Sequence, residues 1–291
     1  MHRAGGGRMK AAEFGYLRPG RMEEALQALA AGEGAAMPLA GGQSLMPMMN
    51  FRVAMPERLI DLGALAELRG IHDAGERLVI GAMTRWSELM ASDLIAAAVP
   101  LLARALPEIA HPAIRNRGTI GGSVALADPA AEVPAVLLAL EGVVVLRSLA
   151  GKRRVAAGDF FLGHYETARA ADELIVALEV PKARGLRHGF HEIGRRHGDF
   201  ALAGAALAVA VEGARVMEAR IALFGVADRA LRATGAEAAL RGAVLGDGTA
   251  LDRAVAALAE IDFAGDIHAS APMRRHLAGV ALRRAWAEGV A

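Results

Sequence analysis

The chain has 291 residues, 54% of them hydrophobic, a formal net charge of +1 and no cysteine. That length and apolar content predict a folded protein of two or three modules, and the near-neutral charge gives no electrostatic case for nucleic acid or a membrane surface. The missing cysteines exclude disulfides, thiolate nucleophiles and iron–sulfur clusters held by this chain itself. Residues 1–8 (MHRAGGGR) read as a disordered extension, with Met9 the expected start. Residues 21–31 (RMEEALQALAA) place Met22, Ala25, Leu26 and Leu29 at helical spacing, and Gly32 and Gly34 follow as stop signals. The apolar piece 36–40 predicts a strand running into Gly41-Gly42, and 58–62 (RLIDL) predicts a second strand after Pro56. Helix, strand, glycine turn and strand make a small α/β unit.

A second block starts near Gly63. In it 78–81 (LVIG) is strand-like, 86–90 opens a helical stretch capped by Thr84 or Ser87, and 94–110 is helical in spacing with breaks at Pro100 and Pro107. A second Gly-Gly pair follows, then apolar stretches at 134–140 and 143–146, and a strand at 174–180 that Pro181 ends. Residues 182–197, basic and histidine-bearing, read as a link to the third block. There 203–211 and 216–226 flank Glu212-Gly213-Ala214-Arg215, a hairpin signal. From Leu231 the chain reads as mostly helical, with periodic segments at 252–260 and 273–287 and a helix start at Ser270 and Pro272. The expected divisions are therefore an extension at 1–8 and units at 9–62, 63–181 and 182–291. The longest uncharged apolar run, 201–211, is too short for the ~18 residues of a membrane span. No charged-then-apolar leader opens the sequence, so a cytoplasmic location is expected.

Two strings carry the chemistry: Leu39-Ala40-Gly41-Gly42-Gln43-Ser44-Leu45 and Thr119-Ile120-Gly121-Gly122-Ser123. Each sets a Gly-Gly pair beside an apolar segment and follows it with a hydroxyl residue. Such turns permit positive φ and let backbone N–H groups crowd against an anion. Two of them suggest a ligand with two phosphates, or one long ligand gripped twice, although a tight turn is the alternative for each. Neither string is a Walker sequence or a G-x-G-x-x-G fingerprint. Asp128 and Glu132 follow the second string, as carboxylates that accept from ribose or ribityl hydroxyls or as charges at a helix N-terminus. His188, His191 and His197 with Arg187, Arg195 and Arg196 lack the carboxylate or thiolate that would complete a metal set, and read as a solvated basic segment.

Taken together, LAGGQSLMPMMNFRVAMPERLIDL (39–62) and HPAIRNRGTIGGSVALADPAAEVPA (111–135) resemble the two FAD-binding segments of the flavoprotein subunit of molybdenum hydroxylases. The type is that of carbon monoxide dehydrogenase medium subunits, related to the FAD domain of xanthine dehydrogenase. The resemblance extends through FFLGHYETARAADELIVALEVP (160–181) and APMRRHLAGVALRRA (271–285). It implies an α+β fold: a two-subdomain FAD-binding domain of the vanillyl-alcohol-oxidase-like type, then a C-terminal domain with a small antiparallel sheet and helices. The first subdomain would be a small α/β unit and the second a larger mixed or antiparallel sheet.

The same resemblance implies that the two strings wrap the FAD pyrophosphate and ribityl chain. It places the family's carboxylate on Glu132, where many members have Asp, with Asp128 a second candidate, and apolar flavin or adenine contacts on Ile109 and Ile175. Two departures stand out: Ser123 where Asn is usual, and Phe200 where several members have Tyr beside the flavin. The implied role is electron transfer. Substrate is hydroxylated at a molybdopterin-type molybdenum cofactor in a large subunit, and electrons pass through two 2Fe–2S clusters of a small subunit to FAD, in a dimer of heterotrimers. The alternatives are a self-standing FAD-dependent oxidoreductase, with His111 or His164 as base, and a non-catalytic nucleotide-binding assembly module.

Overall fold

The computed structural model describes residues 10–290, so the expected extension at 1–8 lies outside the described residues. The first unit runs β1 (Gly15–Leu17), α1 (Met22–Ala30), β2 (Ala36–Leu39), α2 (Leu45–Asn50) and β3 (Arg58–Asp61). Its strands form a parallel sheet in the order β1-β3-β2. Helix α1 buries Met22, Ala25, Leu26 and Leu29, the residues its spacing singled out.

The second unit opens with β4 (Ile71–Asp73), β5 (Arg77–Gly81) and a helical run of α3 (Trp86–Met90), α4 (Asp93–Ala98) and α5 (Pro100–Ala105). Then come α6 (Pro112–Arg115), α7 (Ile120–Leu126) and α8 (Glu132–Ala139). It closes with β6 (Val143–Ser148), β7 (Gly151–Ala156), α9 (Ala157–Phe160), the β8 (Phe161–Gly163) and β9 (Glu166–Thr167) pair, and β10 (Leu174–Pro181). The sheet is antiparallel in the order β4-β5-β10-β6-β7. Strand β7 (GKRRVA) carried no apolar signal because it is a polar edge with only Val155 buried. Neither expected cap opens α3. Arg85 is its N-cap, with the Glu88 carboxylate accepting from the Arg85 amide, while the buried Thr84 exchanges hydrogen bonds with Gly70.

The third unit has β11 (Leu186–Gly194), β12 (Ala201–Glu212), β13 (Arg215–Phe224), β14 (Leu231–Arg232), α10 (Thr234–Leu240), α11 (Gly248–Ala257) and α12 (Ala271–Gly289). The hairpin joins β12 and β13 as its signal predicted, and Ser270 caps α12 by accepting from the Met273 amide. The apolar run in β12 is explained by burial on both faces. Ala203, Ala205, Leu207 and Val209 join a core with α10, α11 and α12, whereas Ala206 and Ala208 join the core of the second unit. Helices α5 and α8 cover that second face, so the two units share a core.

The expected basic link is instead strand β11, paired with β12 along its length. Arginines and histidines hid its alternation. Strand geometry sends His188 and His191 to opposite faces, and His197 lies beyond the strand, so the histidines form no cluster. His188 is buried, its Nε2 has no hydrogen-bond partner, and burial with nearby Arg104 and Arg220 pushes its pKa down to about 4. The unfolded chain therefore takes up the proton first, and stability falls as pH drops below the ordinary histidine range. His188→Leu is expected to remove about 1–2 kcal/mol of the loss between pH 7 and pH 5, read from urea midpoints at the two pH values.

Candidate functional site

A cleft of about 510 Å³ lies where the three units meet. Its lining includes Ala40, Gly41, Gly42, Gln43, Ser44 and Leu45 from the first string. The second string supplies Thr119, Gly121, Gly122 and Ser123. Ile109, Asp128, Glu132, Ile175 and Phe200 complete the predicted residues in the lining. Leu39 and Ile120 stand outside it. Leu39 ends β2 with its side chain under Gly42, and Ile120 is fully buried at the start of α7.

The two glycine pairs do different things. Gly42 has φ +71°, and the amides of Gly41, Gly42, Gln43, Ser44 and Leu45 find no acceptor among the described residues. Five consecutive free N–H groups facing a cleft make an anion cradle. In the second string four of the five amides, those of residues 120–123, are taken. Ile120 donates to the Thr84 carbonyl at 3.0 Å and Gly121 to the Ala82 carbonyl at 2.8 Å. Gly122 donates to Thr119 Oγ1 at 3.2 Å and Ser123 to the Thr119 carbonyl at 3.1 Å. The expected second phosphate turn is thus the first turn of a helix capped by Thr119, with its amides consumed by the scaffold. Gly121 is required for packing, since a Cβ there would sit 2.7 Å from the Ala82 carbonyl oxygen. Gly41 is held as tightly, because its Cβ would lie 2.2 Å from the Arg117 carbonyl oxygen. The first string is therefore packed main chain to main chain on residues 117–118, which lead into the second string.

Beyond α7, Ala127 adopts φ +52° and turns the chain back so that Asp128 and Glu132 face the cleft. Asp128 is buried and accepts from the Ala130 amide at 2.9 Å and the Tyr165 hydroxyl at 3.2 Å. Burial and Asp128 together push the Tyr165 hydroxyl up to about 12. Glu132 is the first residue of α8. Burial, with Asp128 and Glu108 adding repulsion, pushes Glu132 up to about 7, so the helix-end and cleft readings hold together at this residue.

In the remaining wall, Glu173, Arg169, Trp86 and Gly198 were not singled out by the motifs. Glu173 is buried in the lining, held by Arg153 through contacts of 2.6 and 2.7 Å that keep its carboxyl below the usual range. Arg169 lines the cleft while donating to the carbonyls of Ala170 and Glu173. Trp86 and His111 also line it, and Gly198, at φ +82°, packs on His111 and brings Phe200 to the rim. Phe200 is 72% exposed there. Of the two histidines considered as a base, His111 reaches the cleft, whereas His164 packs edge-on against Tyr165.

Residues 12–183 match the family described as the FAD binding domain in molybdopterin dehydrogenase, and residues 188–289 match the CO dehydrogenase flavoprotein C-terminal domain. The chain belongs to the FAD-binding medium subunits of the molybdenum hydroxylases. It is 40% identical over 273 residues to the carbon monoxide dehydrogenase medium chain of Hydrogenophaga pseudoflava, covering 94% of this chain and 95% of that one. It is 39% identical over 287 residues to the alpha subunit of the 6-hydroxypseudooxynicotine dehydrogenase complex of Paenarthrobacter nicotinovorans, covering 97% and 96%. The solved carbon monoxide dehydrogenase of H. pseudoflava superposes with a TM-score of 0.92 at 41% identity, over 95% of this chain and 98% of that chain. Quinoline 2-oxidoreductase from Pseudomonas putida 86 gives 0.91 at 38% identity, over 96% and 97%. These subunits share the α+β architecture read from the motifs, a FAD-binding domain followed by an antiparallel sheet with helices.

Proposed function

We infer that this chain holds FAD in the cleft as the electron-transfer subunit of a molybdenum hydroxylase. The observation that carries this reading is the run of unclaimed amides at residues 41–45, in a chain of this family. Those N–H groups suit the pyrophosphate, and the Asp128 and Glu132 carboxyls suit ribityl or ribose hydroxyls. Ile109, Ile175 and Phe200 offer apolar faces to the rings, and Phe200 keeps a stacking surface without the tyrosine hydroxyl. Gln43, Ser44, Thr119 and Ser123 supply further polar contacts along the ligand.

When bound, FAD supplies the redox chemistry, and the protein binds, orients and tunes it. Electrons come from 2Fe–2S clusters of a small partner subunit and leave for an external acceptor. Hydroxylation belongs to a large subunit with the molybdenum cofactor, and the assembly is a dimer of heterotrimers. The chain's lack of cysteine suits that division of labour, since its own residues could hold no cluster. Units at 9–62, 63–181 and 182–291 are supported by one large sheet in each, with the small β8-β9 sheet in the second. No helix among the described residues is long and apolar enough to cross a membrane, and we assign the complex to the cytoplasm. The family assignment disfavours a self-standing oxidoreductase.

Titration of the full-length chain with FAD, followed by flavin fluorescence, is expected to saturate at one FAD per chain. Gly122→Val, whose Cβ would lie 3.5 Å from the Ala40 side chain and 2.9 Å from Thr119 Oγ1, is expected to weaken retention by about tenfold or more with little loss of fold. A chain that stays colourless in excess FAD, or that purifies without a large molybdenum subunit and a Cys-rich small one, would contradict the reading.

A further inference from the structure

A second cavity, of about 340 Å³, is lined by Arg104, Glu108, Phe190, His191, Glu192 and Glu288. Its carboxyls and those of the FAD cleft are electrostatic neighbours: Glu132 acts on Glu192, and Glu108 acts on both. Helix α5 and the segment after it contribute Arg104 and Glu108, α8 contributes Glu132, and α12 contributes Arg284 and Glu288. Strand β11 contributes His188, His191 and Glu192, and β12 presents the uncharged Gly204 opposite Glu192. The nearby cations are engaged elsewhere. His191 pairs with Glu288 at 3.1 Å, His197 with Glu108 at 3.1 Å, Arg284 faces His191, and Arg104 donates to the Glu288 carbonyl. Among the described residues, no cation forms an ion pair with Glu132 or Glu192. Glu192 Oε2 is wholly buried and has no hydrogen-bond partner at all.

An uncompensated buried carboxyl holds a proton more readily than a charge. Burial, then Glu132 and Glu108, push Glu192 up to about 9, above the value of about 7 at Glu132. A carboxyl that stays protonated at neutral pH therefore lines the second cavity, and one that titrates there lines the cleft, with consecutive residues Glu108 and Ile109 lining the cavity and the cleft respectively. Iron–sulfur carriers deliver electrons singly and without protons, whereas a flavin reduced by two electrons gains an N–H bond at N5.

We propose that Glu192 and Glu132 form a proton relay from the second cavity to the FAD cleft, which supplies the proton taken up when the bound flavin is reduced. The proposal rests on the FAD reading above. In it Glu132 gives up one proton per two electrons, Glu192 returns a proton to Glu132, and water in the second cavity restores Glu192. The electrons come from the reduced clusters of the partner subunit, or from reduced methyl viologen in the test.

The full-length chain saturated with FAD is reduced at pH 8 in a stopped-flow instrument by reduced methyl viologen, a one-electron donor that releases no proton, with flavin absorbance and an indicator dye read together. Glu192→Gln is expected to bind FAD within about twofold of the parent affinity, yet to take up its proton about tenfold more slowly. Added imidazole, a diffusible proton carrier, is expected to restore the rate, which a merely structural role would not allow. Glu192→Gln taking up its proton at the parent rate overturns the relay. If Glu192→Gln fails to hold FAD, Glu192→Asp, whose shorter carboxyl lengthens the step to Glu132, carries the test, with imidazole-relieved slowing expected and an unchanged rate overturning the relay. A parent chain that binds no FAD fails at the first step, a separate result that overturns the functional reading and the relay with it.

Discussion

Gly41→Val is expected to yield a chain that no longer retains FAD through gel filtration and is less stable by about 1–3 kcal/mol. The reason is local and steric. A Cβ at Gly41 would lie 2.2 Å from the Arg117 carbonyl oxygen and 2.8 Å from the Gly118 Cα, both main-chain atoms with no rotamer to escape into. The first string and the 117–118 segment that leads into the second would have to separate by about 1 Å, and close packing resists shifts of that size. Separation moves the free amides of residues 41–45 away from the wall formed by Thr119 and Gly122, so both sides of the ligand are lost together. We expect FAD affinity to fall by about 100-fold, equivalent to roughly 3 kcal/mol. Flavin absorbance per chain and urea unfolding check the two effects separately. Stoichiometric flavin in Gly41→Val would show that contact between the strings is not what builds the cleft. Gly121→Val is less informative, because its clash with the Ala82 main chain unsettles the sheet before any ligand is involved.

Arg274→Met is expected to produce the largest loss of stability that leaves the glycine strings untouched. Arg274 on α12 is only 8% exposed. It donates to the Leu202 carbonyl at 2.8 Å, to the Gly225 carbonyl, and to Asp266 at 2.6 Å. One guanidinium thus fastens the C-terminal helix to β12 and to the turn after β13. The same turn donates from the Gly225 amide to the Pro129 carbonyl at 2.7 Å, next to Asp128. Methionine preserves the packing of the stem but leaves two carbonyls and a carboxylate without their donor. Loss of one partner from a buried pair costs about 3–5 kcal/mol, and the half-exposed Asp266 points to the lower end. A fall in Tm of roughly 10 °C follows, measurable by calorimetry. A drop below about 2 °C would mean that the clamp contributes little.

The acid limb gives an independent check. Arg274 holds Asp266 down at about 2, so its contribution is present above the ordinary aspartate range and is lost as pH falls toward that value. Arg274→Met is expected to lack this part of the acid transition, read from the same melts at pH 5 and pH 2.5.

Much of the site was legible in one dimension because its parts are contiguous. Glycine pairs beside apolar segments, a following hydroxyl, and the Asp128–Glu132 spacing need no tertiary knowledge to be noticed, and their order and separation point to the family. The helical spacing of Met22, Ala25, Leu26 and Leu29 and the Ser270 cap were equally local, and each appears in the fold as read. Strand β11 was not, because His188, His191 and Arg187 make its alternation look like a solvated link.

What separates the two Gly-Gly strings is who claims their amides. Both read as phosphate turns, since each is a glycine pair followed by a hydroxyl. Only the tertiary structure supplies the Ala82 and Thr84 carbonyls that take the Gly121 and Ile120 amides of the second string, while no acceptor reaches those of residues 41–45 among the described residues. Of the third wall, Phe200 came only through the family resemblance, and Glu173 and Gly198 were out of reach because they come from segments far along the chain. The sequence by itself determined the family, the cofactor class and the local elements, since those depend on residue type and short spacing. The fold alone decided which backbone groups remain free to bind and which carboxyls lie buried together, because hydrogen-bond satisfaction and burial belong to contacts between distant segments.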